Sequence, residues 1–131
     1  MKTVKKIGIW MDHTTARLIE FSSDVKEAKT IISDFTSQEK DEALRRSESE
    51  MHNKEQHKHA TFYKNIAIEI KKFDEVLLFG PTDAKVELFN IIRENHSYDN
   101  IKIEIKTTDK MSYEEQHKFV RHYFKRLEFS M

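Results

Sequence analysis

Val76-Leu77-Leu78-Phe79-Gly80-Pro81-Thr82-Asp83-Ala84-Lys85 decides how this chain folds. A continuous apolar run predicts a strand buried on both faces, because a half-exposed strand would alternate apolar and polar residues. The run stops at one of only two glycines and at the only proline in 131 residues. A helical pattern begins at Ala84-Lys85. Strand, tight turn and helix in this order set the free N–H groups of a helix N-terminus beside the carboxyl end of a buried strand, a place suited to anions. Gly80, Pro81, Thr82 and Lys85 are therefore candidate anion-binding residues. Gly80 permits close backbone approach, Thr82 is the expected N-cap, and Lys85 offers a point charge. The plainer alternative is an ordinary strand-to-helix connection with Lys85 on the solvent face. The turn lacks the repeated glycines of a P-loop or a dinucleotide fingerprint.

Working outward, Phe62, Ile66, Ile70 and Phe73 recur at helical spacing ahead of this strand, with Tyr63 and Ala67 widening the stripe. Behind it, a second helix turns Leu88, Ile91 and Ile92 to the core, with Ala84 and Phe89 near them. Ile101, Ile103 and Ile105 alternate with Lys102, Glu104 and Lys106, a half-exposed strand. Ser112-Tyr113-Glu114-Glu115 reads as a capping box. The helix it opens runs to about Arg126 and buries Phe119, Val120, Tyr123, Phe124 and Leu127.

The amino-terminal part is different. Ile7-Gly8-Ile9-Trp10-Met11 predicts a buried strand ending at Asp12-His13. Ala16, Leu18, Ile19 and Phe21 mark a second, and Val25 to Ser33 a third, with Val25, Glu27, Lys29 and Ile31 on one face. Short links favour an antiparallel meander. Strands joined through helices should be parallel, with right-handed crossovers. The resulting order, β-β-β-α-β-α-β-α, predicts a ribonuclease H-like α/β fold: three layers, with a mixed five-stranded sheet flanked by helices.

The length fits a single domain over residues 1–131. A polar stretch at about residues 36–55 has too little apolar surface to offset its ordering entropy and reads as a mobile loop. The 23 basic and 23 acidic residues cancel, so any affinity for nucleic acid must come from local patches. No cysteine is present, which excludes disulfides, thiolate nucleophiles and cysteine-based zinc sites and suits a reducing cytoplasm. No apolar run approaches the roughly 20 residues that cross a bilayer. The N-terminus shows no signal-type apolar block, since Asp12 and His13 interrupt it. A cytoplasmic protein with no membrane partner is the expectation.

Four segments together carry a resemblance: Gly8-Ile9-Trp10-Met11-Asp12-His13, Phe79-Gly80-Pro81-Thr82-Asp83-Ala84-Lys85-Val86-Glu87-Leu88, Thr107-Thr108-Asp109-Lys110-Met111-Ser112, and the His- and Lys-rich stretch before the first helix. They resemble small bacterial proteins related to the central domain of archaeal and eukaryotic class 1 release factors and of Pelota, some of them labelled translational machinery protein or host attachment protein. The resemblance spans nearly the whole chain and implies a ribonuclease H-like fold with a link to ribosomes or structured RNA. One departure is decisive. Release factors end peptides with a Gly-Gly-Gln loop, and Gly8 and Gly80 are the only glycines here. Peptidyl-tRNA hydrolysis by that route is excluded. Pelota also lacks that motif and acts as a binding protein.

The remaining candidates divide between chemistry and ordinary structure. Asp12 closes the first strand, where ribonuclease H-like nucleases bind a divalent metal. Two-metal chemistry needs several converging carboxylates. Here the fourth strand ends in Phe79-Gly80, and only Glu69, Asp83 and Asp109 lie near in the pattern. The plainer reading has Asp12 satisfy a turn and pair with His13 or Arg17. Asp12, His13, Asp109 and Lys110 form a candidate polar cluster. His52, His57 and His59, with Lys58, Arg45 and Arg46, form a candidate basic patch for RNA phosphate, partly protonated near neutral pH. With no cysteine, a zinc site there is disfavoured. Trp10 reads as core and not as a base-stacking platform. Lys118, Arg121, His122 and Lys125 give the last helix a basic side, most simply a solvated face.

These readings converge on a non-catalytic module that binds RNA or protein in translation or on the ribosome, with no catalytic residue, metal or cofactor. A metal-dependent nuclease centred on Asp12 is the alternative. A homo-oligomer built on exposed helix faces is a third option.

Overall fold

The computed structural model describes residues 4–22, 24–25, 28–33 and 60–129. Among the described residues, six strands form one sheet: β1 (Lys6–Met11), β2 (Thr15–Ser22), β3 (Asp24–Val25), β4 (Lys29–Ile32), β5 (Glu75–Gly80) and β6 (Lys102–Thr107). Three helices among the described residues pack on it: α1 over residues 60–70, α2 (Ala84–Arg93) and α3 (Tyr113–Phe129). A 3₁₀ turn at His96–Tyr98 leads into β6.

The sheet runs β3-β2-β1-β5-β6, with β4 also on β2. β1 and β2 are antiparallel, while β1–β5 and β5–β6 are parallel. This is the ribonuclease H-like order expected from the strand and helix sequence. The third strand departs from expectation in one respect. It is not continuous from Val25 to Ser33. β3 pairs with Phe21 and Ser22, and β4 pairs with Thr15 to Leu18, so two short pieces share one edge of β2. Ser33 leaves the ladder, and its N–H donates to the Thr14 carbonyl at 2.7 Å. Lys29 and Thr30 are exposed, and Ile32 is 67% exposed, so this edge is only weakly specified by burial.

β5 holds the layers together. Val76 and Leu78 enter a core with α1 and α2, and Leu77 and Phe79 enter a second core with α3. All four are at most 2% exposed. A fully buried side chain of this kind contributes about 1.5–3 kcal/mol relative to exposure. α1 presents Phe62, Tyr63, Ile66, Ala67 and Ile70, as its periodicity requires. α3 presents Val120 and Phe124, with Phe119 and Tyr123 only partly buried, and Phe119 stacks on Phe79 at 4.8 Å between centroids. Gly8 lets α3 lie against β1, because a Cβ there would stand 2.3 Å from Val120 Cγ2. Trp10 is half-buried against the same cluster and is therefore core.

Two expectations for the helix after β5 need correction. The inward stripe of α2 is Ala84, Lys85, Leu88 and Ile92, which leaves Ile91 at its margin and 48% exposed. The N-cap is Asp83, whose side chain makes no capping bond. Thr82 caps from one position earlier, its Oγ1 accepting the Ala84 N–H at 3.2 Å. The capping box at α3 forms as expected. The Ser112 N–H donates to Glu115 Oε1 at 3.3 Å, and the Glu115 N–H donates to Ser112 Oγ at 3.2 Å.

Candidate functional site

The parallel strands β1, β5 and β6 end at one edge, at Met11, Gly80 and Thr107. In open α/β sheets, ligands collect at such carboxyl ends. Gly80 has φ 149°, in the region that glycine alone adopts readily. A Cβ at Gly80 would lie 2.2 Å from the Met11 carbonyl oxygen. The Gly80 carbonyl accepts the Thr108 N–H at 3.0 Å. Glycine is thus required by the seam between β1 and β5, whatever the turn binds.

Lys85 corrects the picture of a surface charge. It is 1% exposed, and its ammonium donates to the Thr82 carbonyl. The physical reason is local: the turn leaves that carbonyl without a helical partner, and the lysine reaches back three residues to meet it. The Val86 and Glu87 N–H groups donate to the Asp83 carbonyl at 2.9 and 3.0 Å. The turn therefore satisfies many of its own groups. It offers a ligand the half-buried Pro81 and Thr82 and the exposed Asp83.

Asp12 serves its turn. One carboxylate oxygen accepts the N–H groups of Thr14 and Thr15, both at 2.8 Å, and the Thr14 hydroxyl at 3.1 Å. Its partners are these threonines and not His13 or Arg17. Asp109 and Lys110 are exposed and follow β6, with β5 lying between them and Asp12-His13 in the sheet. Glu69 bonds Lys29 and Lys72, each at 3.1 Å, and the Lys29 bond leads in holding its carboxyl below the usual range. Among the described residues, no three His, Cys, Asp or Glu side chains gather to hold a metal ion. Arg45, Arg46, His52, His57, Lys58 and His59 lie outside the described residues.

The fold assembles a group that local pattern does not reveal. Glu87 of α2 accepts the Tyr63 hydroxyl at 2.9 Å on one oxygen and contacts His13 Nε2 at 3.0 Å on the other. One carboxylate thus ties α1, α2 and the β1–β2 turn together. Burial, first, and then the bond and charge of Glu87 push the Tyr63 hydroxyl well above its ordinary pKa. The three residues lie up to 74 positions apart, so only their polar character shows in the sequence. A second group missed in the same way joins Arg17 of β2 to Tyr113 of α3, the guanidinium 3.9 Å from the ring centroid.

No helix among the described residues is long and apolar enough to cross a membrane. No protein-family model matches the chain, and no curated protein matches it by sequence. Solved structures do match. Pelota of Archaeoglobus fulgidus aligns with TM-score 0.59 and 12% identity, covering 95% of this chain and 32% of that one. Pelota of Thermoplasma acidophilum aligns with TM-score 0.56 and 12% identity, covering 89% of this chain and 32% of that one. The chain thus spans about a third of the length of the Pelota proteins it matches. At such identity the likeness is one of fold, and it gives this chain a Pelota-like α/β domain fold.

Proposed function

We propose that this domain is a non-catalytic binding module of translation, docking on the ribosome or on structured RNA. The observation that carries the reading is the fold likeness to Pelota over 95% of this chain. The missing Gly-Gly-Gln loop supports it further, since the chain has only Gly8 and Gly80. The expected contacts are the outer surface of the Gly80–Lys85 turn and the cations from Arg45 to His59. At those cations, docking draws on counterion release from phosphate. A nuclease centred on Asp12 has less support, because metal binding would compete with the bonds that Asp12 accepts from Thr14 and Thr15.

Sedimentation with ribosomes at low and high salt tests the proposal. The protein should travel with ribosomes at low salt and leave them as salt rises. Neutralising Arg45 and Arg46 should weaken the association. Protein that stays at the top of the gradient at low salt would refute the reading.

A further inference from the structure

We propose that the cleft beside the first turns of α3 binds a nucleotide unit, its phosphate held by Arg17, His117 and Arg121 and its base laid on Tyr113. The inference rests on the RNA-binding reading above and gives it a place and a chemistry.

The cleft is a shallow, open depression of about 480 Å³ lined by Tyr113, Glu114, His117, Lys118 and Arg121. That volume lies within the range of roughly 300–1,000 Å³ usual for small-ligand sites. Arg17 adjoins it from β2, stacked on Tyr113. Its Nη1 donates to Thr30 Oγ1 at 3.3 Å, but its Nε is buried and has no acceptor. Trp10 stands opposite Arg17 in the β1–β2 ladder, and Gln116 follows in α3. Each also buries a polar atom, Nε1 and Oε1 respectively, with no hydrogen-bond partner among the described residues.

Charge points the same way. Arg17, Lys118 and Arg121 are fixed cations, and among the described residues Glu114 is the only acid lining the cleft. Burial and the charges of Arg17 and Arg121 all disfavour a proton on His117, which registers the positive potential there. A phosphate would relieve that repulsion, and a guanidinium matches its paired oxygens. Tyr113 narrows the ligand class. It is 63% exposed with Arg17 against its ring, so an anchored aromatic surface stands beside the cations. An acidic peptide or a bare anion has no use for that surface. A nucleotide carries both a flat base and a phosphate, and base stacking on aromatic rings is the sequence-tolerant part of single-strand recognition.

The test is a titration followed by backbone amide and histidine-ring resonances, using a single-stranded uridine oligonucleotide, uridine monophosphate and inorganic phosphate. Both nucleotide ligands should shift residues 113–121 and the His117 ring. Tyr113→Ala should weaken both by about five- to hundred-fold and leave inorganic phosphate nearly unchanged. Arg17→Gln should weaken all three. Tighter binding of the oligonucleotide identifies a strand as the source, and tighter binding of the monophosphate identifies a free nucleotide. An unmoved 113–121 segment overturns the proposal, as does equal loss of phosphate and nucleotide in Tyr113→Ala. If ribosome association survives while the cleft fails to respond, this inference falls and the broader reading stands. If the cleft responds but ribosomes do not bind, the reverse holds.

Discussion

Gly80 and Met11 meet so closely that a single added carbon would collide with the backbone, at 2.2 Å from the Met11 carbonyl oxygen. The neighbour is main chain at the end of β1, so it cannot swing aside. Gly80→Ala therefore combines an unfavourable φ with a rigid clash and should cost on the order of 3 kcal/mol or more. Gly8→Ala meets a side chain instead, at 2.3 Å from Val120 Cγ2. It should cost about 1–3 kcal/mol, and Val120→Ala in the same chain should recover part of the loss. Denaturant unfolding of both variants and of the double variant measures the difference. Equal penalties for the two glycines, or no coupling with Val120, would contradict the packing described here.

Tyr63→Phe removes the hydroxyl that bonds Glu87 and should lower stability by about 1 kcal/mol. The same bond has a pH signature. The Tyr63 hydroxyl titrates higher in the folded state than in the unfolded chain. Its contribution is therefore fully present below the unfolded value of about 10 and is lost as pH rises beyond it. Burial also raises the Tyr123 hydroxyl, so alkaline titration followed by tyrosinate absorbance should show two late-ionising tyrosines, of which one disappears in Tyr63→Phe.

His117 has the opposite sign. Burial, then Arg17 and Arg121, lower its pKa in the folded state. The facing charges are Arg17 from β2 and Glu114, Lys118 and Arg121 from α3. A histidine that resists protonation when folded stabilises the fold above its unfolded pKa of about 6.5. That contribution declines as pH falls from there through the folded value. Arg17→Gln should raise the His117 pKa, as read from its ring resonances. An unchanged titration would remove Arg17 from the cluster.

Asp12→Asn tests the competing enzymatic idea and the turn together. Asparagine keeps an acceptor for Thr14 and Thr15 but loses the charge, so stability should fall by about 1 kcal/mol or less. RNA incubated with magnesium or manganese should remain intact with either protein. Cleavage that vanishes in Asp12→Asn would overturn the non-catalytic reading.

The capping box at Ser112 and Glu115 and the stripe Phe62–Ile66–Ile70 were legible because their cause lies within a few residues of chain. So was the double burial of Val76 to Phe79, since an unbroken apolar run has no other comfortable place. The strand and helix order followed from these, and short or long connections chose antiparallel or parallel pairing. Lys85 was misread because its partner is a carbonyl left over by the turn's own geometry, and residue type does not announce such a partner. Ile91 was misplaced because a small rotation of α2 decides which margin of its stripe is covered.

Glu87 with Tyr63 and His13, and Arg17 with Tyr113, belong to a different level. Their members are scattered along the chain, and each alone is an unremarkable polar or aromatic residue. Periodicity and turn chemistry settled the elements, their order and the buried strand between the layers, since those depend on neighbours in sequence. Which side chains face one another across the layers was decided only when the sheet closed, since contact between distant positions depends on crossing angles, register and the reach of each rotamer.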